Sequence, residues 1–127
     1  MKVQVSEASG PVLCYLVCMV EMSHLVWGET IGLHAHSNQI IVPELPEPAC
    51  YSPFMDWAQG GPILTREHIS RTIDHSGLWI AYWTDGYTDG DEGKKWMQCD
   101  RSELVAGLRC FVVSKLGNEV EVPDELA

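Results

Sequence analysis

The chain has 127 residues, 46% of them hydrophobic and 20% charged, and a formal net charge of −10. That length suits a single domain over 1–127 with one core, and the composition is globular, not that of a disordered segment. Eight basic residues against eighteen acidic ones exclude a nucleic-acid backbone as the main partner, because phosphate binding rests on clustered Lys and Arg.

Lys2 to Val5 (KVQV) alternates in the manner of a short strand. Ser6 and Ser9 then offer capping oxygens, and Pro11 suits a first helical position, which predicts a helix over about Pro11 to Met22. Its apolar run stops at Glu21, about half of the roughly 20 residues a membrane span requires, so it reads as a buried core segment. Cys14 and Cys18 share one face of this helix as small hydrophobes. Five cysteines without a Cys-x-x-Cys pair, and no signal peptide ahead of them, point to reduced thiols in a cytoplasm.

Leu25-Val26-Trp27 is a weak strand candidate and Gln39 to Val42 (QIIV) a better one, before Pro43, Pro46 and Pro48 impose an extended connection. The stretch YSPFMDWAQGGPILTRE, Tyr51 to Glu67, reads as a shaped loop because Gly-Gly-Pro is turn punctuation. Leu78 to Trp83 (LWIAYW) is the strongest strand signal, and two apolar rows place it centrally in a sheet. Thr84 to Gly93 is turn chemistry, and Lys94 to Cys99 returns antiparallel. Ser102 or Asp100 caps a second helix that Gly117 stops, with Leu104, Val105, Leu108, Phe111, Val112 and Leu116 as one apolar stripe. The tail from Val120 to Pro123 is extended. The expected architecture is α+β, a small antiparallel sheet with two main helices packed on one face.

His34 and His36 have a spacing that a metal can use, but no third ligand stands at a recognisable interval. Asp85, Asp89 and Gly90 match part of a calcium loop, yet Tyr87 and Trp96 fall where further ligands belong. Neither is counted as a metal site, and no cofactor is expected. Cys50 with His24, His68 or His75 has no local motif behind it, so catalytic residues are left unassigned.

The 51–67 stretch offers more. Tyr51, Phe54 and Trp57 supply flat faces for stacking on a planar ligand. Gly60 and Gly61 expose backbone N–H groups to an anion, Arg66 supplies a planar fork, and Asp56 and Gln59 orient. Arg109, at the edge of the second helix's stripe, is a further candidate for the same hollow. The competing reading makes Trp57 and Ile63 core plugs and Gly-Gly-Pro a plain turn.

Three segments resemble the NinX-like proteins of tailed phages and prophages: KVQVSEASGPVL at the start, YSPFMDWAQGGPILTREHI in the middle and SELVAGLRCFVVSKLGNEVEVPDEL at the end. They cover a little under half of the chain. The sequence departs from the family pattern at Cys14-Tyr15, where Asp-Trp is expected, and at His68-Ile69, where Gly-Ile is common. The resemblance brings no established activity. It implies an accessory product working in the host bacterial cytoplasm. Three functions are then expected in order. The first is a binding protein that sequesters a small anionic or nucleotide-like ligand and so antagonises a host process such as antiviral immunity. The second is an acidic inhibitor that occupies the nucleic-acid-binding face of a host defence protein, with carboxylates such as Asp85, Asp89, Asp91 and Glu92. The third is a small enzyme acting on a nucleotide. Homo-oligomerisation is expected because much apolar surface must be covered.

Overall fold

The computed structural model describes residues 1–22, 27, 32–33, 40–41, 50–51, 53–84 and 93–126. In chain order the elements are β1 (Lys2–Gln4), α1 (Gly10–Glu21), β2 (Gly32–Leu33), β3 (Ile40–Ile41), β4 (Cys50–Tyr51), α2 (Trp57–Arg66), β5 (Ser70–Ile73), β6 (Trp79–Thr84), β7 (Lys94–Asp100), α3 (Glu103–Leu116) and β8 (Glu119–Glu121). Short 3-10 turns stand at Val5–Glu7 and Asp124–Leu126. All described strand pairs are antiparallel, in the orders β1-β8, β2-β3-β4 and β5-β6-β7. The fold class is α+β, as the sequence indicates.

The extended tail has a partner. β8 pairs with β1 through Lys2↔Glu121, Val3↔Val120 and Gln4↔Glu119, which ties the two ends of the chain together. Ser9 is the N-cap of α1 but makes no side-chain capping bond, and Pro11 lies in the first turn as its fixed φ favours. Leu13, Cys14, Leu16, Val17 and Cys18 bury the inner face of α1. Tyr15 on its flank meets Trp27 edge to face at 5.6 Å, and the Trp27 indole N–H donates to Glu125 at 3.3 Å.

α3 is the central element. The Ser102 hydroxyl accepts from the Val105 N–H at 3.3 Å, and Gly117 ends the helix at φ 90°, a left-handed value that suits glycine. From Leu104 to Val113 every residue is buried, Arg109 included, so α3 is enclosed all round over this stretch and not merely on one stripe. The sheet β5-β6-β7 covers one side, while α1 and α2 cover the other. Leu116, expected in the stripe, lies beyond this cover and is exposed. β6 is the central strand, as its two apolar rows suggest. Ala81 is fully buried beneath α3, whereas Ile80 and Tyr82 on the opposite row stay half-exposed.

α2 corrects the loop reading. Asp56 caps it by accepting from the Ala58 N–H at 2.9 Å, and ten residues follow in helix through Gly60, Gly61 and Pro62. Glycine and proline lower helix propensity, but burial of Gly60, Ile63 and Leu64 against the rest of the molecule overrides it. No helix among the described residues is long and apolar enough to cross a membrane. His34, His36 and the loop 85–92 lie outside the described residues, and among those described no group of His, Cys, Asp and Glu could hold a metal.

Candidate functional site: a two-indole cleft

Trp83 and Trp96 face each other across the β6-β7 pair because the ladder is irregular there. Ala81 pairs with Gln98, but Trp83 pairs with Lys95, so β7 carries one residue more than β6 between the two pairs. This is a β-bulge, a device that re-aims a side chain. Trp96 sits in it at φ 56°, in the left-handed region. In a regular strand Lys95 and Trp96 would point to opposite faces of the sheet. The bulge turns Trp96 to the side of Trp83, with ring centroids 5.6 Å apart at an interplanar angle of 49°. Lys95 Nζ lies 5.8 Å from the Trp83 ring centroid.

The two rings open on a cleft of about 230 Å³ between β6, β7, the end of α2 and the last turns of α3. Buried Ile69 and Cys110 form its apolar base, and Glu67, Ser114 and Lys115 add polar groups. Its position follows from the fold. The cover over α3 ends at Val113, so the following turn leaves the core and opens a gap beside the sheet. A second groove of about 370 Å³ runs beside β1, lined by Val3, Val12 and Leu126 among others, but it is more open and presents no aromatic ring.

Electrostatics divide the cleft. Lys115 donates to Glu67 at 2.8 Å and Arg66 donates to the other carboxylate oxygen at 3.1 Å. Lys115 first, and Arg66 after it, hold the Glu67 carboxyl below its ordinary value of 4.5, so it is ionised at neutral pH. Burial pushes the Cys110 thiol up to about 12, which keeps it protonated. A neutral thiol is a weak nucleophile, so Cys110 packs and does not attack.

As far as the described residues show, those singled out in the sequence do not converge on one hollow. Asp56 is a helix cap, and its backbone carbonyl accepts from the N–H groups of Gln59 at 3.0 Å and Gly60 at 2.8 Å. The Gly60 N–H is therefore bonded within the helix and not offered to an anion. Gly60 itself is buried, where a Cβ would overlap the Pro53 carbonyl oxygen and stand 2.9 Å from Leu104 Cδ2. Trp57 is 49% exposed, so it is not sealed in the core, and its ring lies against Gly61. Tyr51 belongs to β4, where its backbone pairs with Ile40. Arg66 is bound by Glu21 at 2.8 and 2.9 Å, lies 5.9 Å from the Phe111 ring centroid, and touches the cleft through Glu67. Arg109 is buried elsewhere. It donates to the carbonyls of Ala8 at 2.7 Å and Cys99 at 3.1 Å, and to Asp100 at 3.1 Å, tying the start of α1 to the end of β7. Its role is internal bracing, and it shares no partner with Arg66.

Trp83, Trp96, Glu67 and Lys115 are the residues that sequence reasoning passed over. One signal for them exists. Two tryptophans near facing ends of a predicted hairpin are candidates for a cross-strand aromatic pair. The bulge that brings them together has no glycine to mark it.

A family model described as bacteriophage P22, NinX matches residues 4–115. Comparison with curated proteins returns no match.

Proposed function

The chain belongs to the family of bacteriophage P22 NinX, and on that premise we propose that it is a phage accessory protein that captures a small planar, nucleotide-like ligand in the cleft against the paired indoles of Trp83 and Trp96. The strained bulge carries this reading. A bulky residue in left-handed backbone costs about 1–3 kcal/mol, and such strain clusters where function requires it. Glycine or asparagine would close the same bulge at lower cost. What tryptophan adds is a flat, 40% exposed indole beside a second one. Stacking on an aromatic ring contributes about 1–3 kcal/mol per base and tolerates any base.

Size narrows the ligand. At about 230 Å³ the cleft is smaller than the roughly 300–1,000 Å³ of pockets that enclose drug-sized molecules, so it suits one ring system and not a linked pair. In the cytoplasm of an infected bacterium, capture would withdraw the ligand from a host process, antiviral signalling included.

Trp96→Gly tests the proposal. Its unfolding free energy should stay within about 1 kcal/mol of the parent, because relief of backbone strain offsets the lost ring pair. Capture of adenosine 5′-monophosphate, read by calorimetry, should fall about tenfold. Trp57→Ala should leave capture unchanged. Undiminished capture by Trp96→Gly would refute the reading.

A further inference from the structure

Four charged side chains of alternating sign run from α1 across α2 to the cleft. Glu21 holds both terminal nitrogens of Arg66, at 2.8 and 2.9 Å. Arg66 Nε reaches Glu67 Oε2 at 3.1 Å, and Lys115 Nζ reaches Glu67 Oε1 at 2.8 Å. Each oxygen of Glu67 thus has its own cation. Since Glu67 and Lys115 both line the cleft, the ammonium group there is already answered by the protein's own carboxylate.

We propose that Glu67 is a specificity-determining residue: its carboxylate occupies on Lys115 the place that an anionic group of the ligand takes when bound. The inference rests on the ligand reading of the cleft. It assigns the ligand class more narrowly, as a planar ring bearing one anionic group that exchanges with Glu67. The exchange replaces one charge-assisted hydrogen bond by another, and Glu67 retains Arg66 throughout. Lys115 is 46% and Glu67 21% exposed, so water screens the contact and its displacement is easy. The whole chain, at −10, repels anions. A ligand with negative charge therefore needs a local cation, and one competing carboxylate sets how much charge is enough.

Adenosine and adenosine 5′-monophosphate carry the same ring and differ in the phosphate, so they separate ring capture from charge recognition. Both are titrated calorimetrically into the native protein, Glu67→Gln and Lys115→Gln, with Glu67→Asp as the charge-retaining control and thermal melts to verify folding. The native protein should prefer the monophosphate. Glu67→Gln should tighten the monophosphate about two- to fivefold and leave adenosine unchanged, Glu67→Asp should bind as the native protein does, and Lys115→Gln should erase the preference. If Glu67→Gln weakens the monophosphate, or moves both probes alike, Glu67 is only a structural tie and the inference is overturned while the ring site stands. If all the proteins bind neither probe, the ring site itself fails, and the inference with it.

Discussion

His68 ends α2 in left-handed backbone at φ 55°. Its N–H donates to the Thr65 carbonyl at 3.3 Å, and the next N–H, of Ile69, donates to the Leu64 carbonyl at 3.1 Å. That bond pattern, with buried Ile69 beside buried Leu64, is the Schellman arrangement in which glycine is the favoured residue. Here histidine bears the strain. His68→Gly should raise the unfolding free energy by about 0.5 kcal/mol in urea denaturation, the relief of strain being partly offset by glycine's larger unfolded entropy. His68→Val should lower it by more than about 1 kcal/mol, because β-branched residues tolerate this region least. A neutral valine would mean that the turn is not held in this conformation. With its usual marker missing, the helix end was illegible in the sequence. The same holds for Trp96, another large residue where glycine would announce a bulge. Arg109 was legible as a candidate but not in its role, because its buried acceptor, the carbonyl of Ala8, lies at the other end of the chain.

Among the elements, α2 departs most from its sequence. Gly-Gly-Pro signals a turn, yet the two glycines serve a helix lodged between Pro53 and α3. They are not equivalent. At Gly60 a methyl group would overlap the Pro53 carbonyl oxygen and press on Leu104, both fixed in the core. At Gly61 the nearest atom is Trp57 Cε3 at 3.3 Å, the edge of a half-exposed ring that can give way. Gly60→Ala should therefore cost about 1–3 kcal/mol by overpacking. Gly61→Ala should be neutral or stabilise by up to about 1 kcal/mol, since alanine is the better helix former. Chemical denaturation of the pair decides it, and equal costs at the two positions would contradict the packing described. Gly107 obeys the same closeness on the facing helix, where a Cβ would come within 2.6 Å of Leu64 Cδ1. Local propensity cannot reveal such a demand, which arises only when two helices meet. By contrast α3 was legible at both ends, because Ser102 and Gly117 act through local backbone geometry.

At the scale of the molecule, the α+β class, the central place of β6 and the hairpin return of β7 were all readable, since each rests on hydrophobic period and turn chemistry. The layering was readable only in part. Burial of α3 on every side from Leu104 to Val113 makes it the spine between the sheet and the other two helices, and the cleft opens where that burial stops. The candidate site was not legible as a unit, because it joins β6, β7, the end of α2 and the end of α3 through a bulge and a salt-linked carboxylate. Five tryptophans give the molecule its own reporters. The direct measurement is a two-dimensional NMR titration of the 15N-labelled protein with adenosine 5′-monophosphate, following the five indole N–H resonances. Trp83 and Trp96 should shift together while Trp27, Trp57 and Trp79 hold still. Movement of Trp57 in their place, or of none of the five, would contradict a ligand held against Trp83 and Trp96.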